Sequence, residues 1–171
     1  MKAFLIVVVL ALGLGALLLA TQKKGKVQAE AARSPAPASS AQASEAVWLT
    51  DYKAAQEQAK SSHKLILLQF TGSDWCPPCR MLKSQVLVTR EFQDYASKNF
   101  VLVELDFPRA KILSPEVTEQ NHMLGRQFGI QVFPTIIILN SDGKKVGELQ
   151  GYDPRAGKEG FIASLEQVRK G

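Results

Sequence analysis

The chain has 171 residues, 46% of them hydrophobic, enough for one ordinary core without added staples. Of its 21 basic and 16 acidic side chains, residues 1–44 hold five bases (Lys2, Lys23, Lys24, Lys26, Arg33) and one acid (Glu30), leaving sixteen and fifteen for the rest. The excess positive charge belongs to the tail, so the near-neutral remainder argues against nucleic acid as a partner.

Ala3 to Ala20 is an uninterrupted apolar run after Lys2, longer than a usual signal-peptide core and just long enough to cross a bilayer as a helix. The small-residue cleavage patterns are poor. Leu18-Leu19-Ala20 lacks a small residue at its first position, and Val27-Gln28-Ala29 lies beyond the Lys23-Lys24-Gly25-Lys26 stretch. An uncleaved anchor over residues 1–22 is therefore preferred to a cleaved signal. No cysteine follows the run, which disfavours a lipid anchor. The flanking lysines slightly favour the wrong orientation for export. The following domain is nonetheless placed outside the cytoplasm, periplasm-like, because signal-like starts lead export and long domains translocate largely regardless of charge. Residues 23–45 are rich in Ala, Ser and Gln, with Pro35 and Pro37, a composition that builds no core and reads as a spacer.

The domain expected over residues 46–171 opens with Val47-Trp48-Leu49. A helix follows to about Ser62, capped by Thr50 or Asp51 and burying Tyr52, Ala55 and Ala59. Leu65 to Phe70 suits a buried central strand. Thr71-Gly72-Ser73-Asp74-Trp75 leads into Cys76-Pro77-Pro78-Cys79, and Met81 to Leu87 continues as a helix with one buried face. Further elements are a helix over Glu91 to Lys98 and a strand over Phe100 to Asp106. A loop with Arg109 and Lys111 precedes a helix from about Pro115 to Phe128, with His122 on its surface and Met123 in the core. Ile136 to Leu139 and Lys145 to Gln150 pair as a hairpin about Asn140-Ser141-Asp142-Gly143. The last helix runs from about Pro154 to Lys170, with Phe161, Ile162, Leu165 and Val168 inward. This order specifies an α/β sheet covered by helices.

Cys76 and Cys79 are the only cysteines. A zinc site wants four ligands, and His63 and His122, the only histidines, lack matching spacing, so no metal is expected. A disulfide closing so short a loop would constrain the unfolded chain little. Redox chemistry is the favoured reading. Cys76 falls at a helix N-cap, where unpaired N–H groups and the positive dipole end favour a thiolate. Pro77 and Pro78 fit the first turn but supply no N–H. The Cys76 pKa should therefore fall only moderately, to about 7 rather than about 3.5. Cys79, one turn in, should be the more buried of the two.

Trp75-Cys76-Pro77-Pro78-Cys79 resembles the active site of thioredoxin-like proteins, and Phe128-Gly129-Ile130-Gln131-Val132-Phe133-Pro134-Thr135 resembles that family's segment ending in a cis-proline. The resemblance covers roughly residues 46–170. It implies a thioredoxin-like fold with a central mixed sheet, Cys76 as nucleophile and Cys79 as resolving thiol. It further implies a substrate groove from Trp75, Pro77, Pro78, Phe133 and a cis Pro134, and no cofactor beyond the redox-active Cys76–Cys79 pair. One departure stands out. Where thioredoxins commonly bury an acid that accepts the second cysteine's proton, this chain has Gln69, which cannot exchange a proton near neutral pH. Asp74 is expected at the surface, and the base is unassigned. The segment between Asp106 and Gly129 is longer than in cytosolic thioredoxin, offering partner-facing surface around Arg109 and Lys111. The expected activity is extracytoplasmic thiol–disulfide exchange on protein substrates, in the reducing direction, fed by a membrane electron donor. A disulfide oxidase or isomerase, or a non-catalytic binding or chaperone module, are the alternatives.

Overall fold

The computed structural model describes residues 46–171. The expected anchor and spacer, at 1–22 and 23–45, lie outside the described residues. No helix among the described residues is long and apolar enough to cross a membrane.

The elements follow the expected order: β1 (Trp48–Leu49), α1 (Tyr52–Ser62), β2 (Leu65–Thr71), α2 (Pro77–Leu82), α3 (Arg90–Asn99), β3 (Phe100–Asp106), α4 (Pro115–Gln127), β4 (Thr135–Leu139), β5 (Lys145–Gln150) and α5 (Gly157–Lys170). Asp51, not Thr50, caps α1: its carboxylate accepts from the Ala54 amide at 3.1 Å. The sheet order is β1-β3-β2-β4-β5, with β1 and β2 parallel to β3, β4 antiparallel to β2, and β5 antiparallel to β4. β2 is thus central, which accounts for its apolar run.

Alternation along the strands divides the core between the two faces. Leu67, Leu102, Ile136 and Ile138 meet Leu82, Val86, Phe92, Phe161 and Leu165 on one face, under α2, α3 and α5. Ile66, Leu68, Phe70, Val103 and Ile137 meet Ala55, Ala59 and Leu124 on the other, under α1 and α4. Each fully buried large side chain contributes about 1.5–3 kcal/mol relative to exposure.

Three expectations need correction. The helix expected to run on to Leu87 changes pitch: Lys83–Leu87 is a π-helical turn, in which the Val88 amide donates to the Lys83 carbonyl at 3.1 Å. Val86 and Leu87 are both buried at the end of this turn. The last helix begins at Gly157 rather than Pro154, because Asp153 to Gly157 folds as consecutive turns and Gly157 has φ +63°. Met123 is 49% exposed; α4 instead buries Asn121 and Leu124.

Candidate active site

Cys76 and Cys79 form a disulfide, with Cα atoms 5.3 Å apart, where β2 gives way to α2 at the carboxyl edge of the sheet. Cys76 is the N-cap of α2, and its Sγ accepts the Cys79 amide at 3.2 Å. Pro77 and Pro78 occupy the first two helical positions and donate nothing. The expected difference in burial is absent: each cysteine is 2% exposed.

Trp75 is held from four sides. Its indole lies against Gly72, where an added Cβ would stand 2.4 Å from the ring. Its Nε1 donates to the Phe107 carbonyl at 2.7 Å, its ring meets Phe133 edge-on at 5.5 Å, and the Arg109 guanidinium sits 4.3 Å from its centroid. The Phe133–Pro134 peptide is cis, as expected, and directly precedes β4, whose Thr135 pairs with Phe70 of β2. Trp75, Phe133 and Pro134 therefore share the sheet edge at which the disulfide lies.

The loop after β3 engages this site. Asp74 accepts from the amides of Arg109 (3.0 Å) and Ala110 (2.7 Å), and these bonds, Ala110's foremost, hold its carboxyl below the usual range. Asp74 lies at the surface, as expected, partly covered by the loop whose amides it holds. Arg109 and Lys111 are exposed while their cationic ends turn onto the cysteine loop, Lys111 reaching Ser73 Oγ at 2.8 Å.

Sequence reasoning overlooked two residues here. Asp106 ends β3 almost buried and accepts from the Ser73 amide (2.8 Å), Ser73 Oγ (2.6 Å) and Lys111 Nζ (3.4 Å), fixing the loop that presents Cys76. Asn121, 1% exposed, donates to the Asp106 carbonyl at 2.9 Å. An acid closing an otherwise apolar strand was the available signal for Asp106. Asn121 had none, because its burial depends on how α4 docks. Gln69 is 1% exposed, and its Oε1 accepts from no protein group. Of the histidines, His63 closes α1 in the left-handed region, and His122 stands edge-on to Phe107 at 5.5 Å.

The profile of the thioredoxin-like domain matches residues 52–169. The chain belongs to the thioredoxin-like family. It is 32% identical over 119 residues to the disulfide bond reductase DsbH of Chlamydia pneumoniae, covering 70% of each chain. It is likewise 32% identical over 119 residues to a thioredoxin of Alicyclobacillus acidocaldarius, covering 70% of this chain and 96% of that one. A solved DsbH oxidoreductase structure superposes with TM-score 0.67 at 31% identity, covering 74% of this chain and 88% of that one. The fold is the thioredoxin fold, and the chain is a thiol–disulfide oxidoreductase with a cysteine pair able to form a disulfide. Such a thioredoxin-like domain exchanges two electrons with a partner by making or breaking that one S–S bond.

Proposed function

We propose that the chain reduces or exchanges disulfides in exported proteins, with its domain outside the cytoplasm. In this reading, residues 1–22 tether it to the membrane, or direct export if cleaved, and residues 23–45 act as a spacer. The observation that carries the proposal is the cysteine pair at the N-cap of α2, flanked by Trp75 and Phe133 at the sheet edge.

Cys76, as thiolate, attacks one sulfur of a substrate disulfide. A Cys76–substrate S–S bond forms, and the other substrate sulfur leaves as a thiolate that takes a proton from solvent. Cys79 then loses its proton and attacks Cys76 Sγ, releasing the second substrate thiol and closing the Cys76–Cys79 bond. Two electrons have passed to the substrate. Pro77, Pro78, Phe133 and Pro134, with Trp75, line the groove for extended substrate chain. The balance closes with two thiols, so no further cofactor is required. A membrane carrier must return two electrons to the pair on each cycle. The reducing direction is supported by the name of the DsbH relative, a disulfide bond reductase. It is further supported by the paired prolines, which leave the Cys76 thiolate few N–H donors and so disfavour a strong oxidant.

Cys79→Ala in the full chain should trap mixed disulfides with exported proteins, and insulin reduction should vanish in Cys76→Ser. A reduction potential of about −120 mV would instead indicate an oxidant. Insulin reduction undiminished by Cys76→Ser would indicate a binding module.

A further inference from the structure

Cys79 cannot resolve a mixed disulfide until its proton has gone, and Gln69, buried on β2, has no group that can take it. The parallel register sets Gln69 directly beside Glu104 of β3, so the two side chains share the sheet face that α2 covers. A cavity of about 460 Å³ opens between that face and α2, lined by Cys79 and Glu104 together with Arg80, Lys83 and Lys111. A second cavity of about 290 Å³ has Gln69 and Glu104 on its wall. Glu104 is the only carboxylate lining the first cavity among the described residues.

The other two nearby acids are already committed. Asp74 holds the Arg109 and Ala110 amides, which keep it ionised, and Asp106 is filled by Ser73 and Lys111. Glu104 keeps 26% of its side chain exposed and makes one ion pair, with Lys83 Nζ at 3.5 Å. Lys83 comes from the π-helical turn, whose extra residue sets the register of everything after Leu82. The charged groups around Glu104 are thus Lys83 from that turn, Arg80 from α2 and Lys111 from the loop after β3, with uncharged Gln69 on β2.

We propose that Glu104 receives the Cys79 proton across this cavity, the carboxylate having moved one strand over from the position that Gln69 fills. In the resolving step the Cys79 S–H proton passes through the cavity to the Glu104 carboxylate. The freed thiolate bonds Cys76 Sγ, the Cys76–substrate bond breaks, and the substrate sulfur departs with the electron pair. Glu104 later returns its proton to solvent. The cavity has room for the bridging water that such a transfer uses. Lys83 acts as a positioning residue that keeps the carboxylate turned toward the cavity.

This inference rests on the disulfide-exchange reading, and its test separates the two. In single turnover with a small aromatic disulfide, Glu104→Gln should leave formation of the Cys76 mixed disulfide unchanged. Its resolution near pH 7 should slow roughly tenfold, less than the hundredfold or more of a base in direct contact because the proton crosses a cavity. The pH dependence of resolution should lose its acidic limb, and Gln69→Glu added to Glu104→Gln should recover rate and limb together. Unchanged resolution in a folded Glu104→Gln, or equal slowing of both steps, would overturn the role of Glu104 alone. An unaltered chain that forms no mixed disulfide would overturn the exchange reading. Should Glu104→Gln not fold, carboxyl-carbon NMR of the unaltered reduced protein decides. The Glu104 resonance should show a second inflection where Cys79 titrates, and a single inflection would overturn the proposal.

Discussion

A single backbone N–H faces the Cys76 sulfur, that of Cys79, because the two residues between are prolines. An N-cap acceptor can draw on the amides of the second and third helical positions, and here the second is missing. Pro78→Ala would restore it and add a donor aimed at the thiolate. The Cys76 pKa of the reduced protein should fall measurably in that variant, read by thiolate absorbance during titration. An unchanged or raised value would show that the helix terminus does not set the thiolate. Trp75 illustrates the complementary constraint: the indole lies on Gly72 because no Cβ is there, and its N–H fixes the loop after β3 through the Phe107 carbonyl.

Helices α3 and α5 meet on the face that carries α2, and a polar link joins them at its edge. Tyr95 donates to Glu166 at 2.9 Å, and Glu166 also receives Arg169 and Lys170. The Arg169 hydrogen bonds, followed by that of Tyr95, bring the Glu166 carboxyl from 4.5 down to about 2. Burial, then Glu166, pushes the Tyr95 hydroxyl up to about 12. A carboxyl lowered on folding contributes stability that is present above its unfolded value and is lost as pH falls through the folded one. The native melting temperature should therefore exceed that of Glu166→Gln at pH 7, with the gap closing between the ordinary value of 4.5 and about 2. Melting curves that stay parallel across that range would contradict the link. Because Glu166 keeps 27% of its side chain exposed and its cationic partners lie at the surface, the effect should be modest and shrink in salt. The same helix shows why boundaries resist sequence reading. Its inward residues were legible from spacing, whereas its start depended on the left-handed Gly157, which the helical pattern does not reveal.

At the scale of the whole molecule, most of the architecture was legible because apolar strands and amphipathic helices alternate cleanly in the chain. Leu65 to Phe70 announced a central strand, and it pairs on both sides. The motifs at Trp75 to Cys79 and at Phe133-Pro134 pointed to one site, and the fold brings them to one sheet edge. What escaped depends on contacts between distant segments: the π-helical turn, the Asp106 bonds to Ser73, and the docking of Asn121 under β3. The equal burial of the two cysteines is of the same kind. The proposed exchange turns on one difference between two thiols, and alkylation of the folded, reduced protein by iodoacetamide, mapped by mass spectrometry, measures it. Cys76 should react roughly tenfold or more faster than Cys79 near neutral pH, as the thiolate at the helix end. A Cys76 that reacts no faster than Cys79, or only after unfolding, would contradict it.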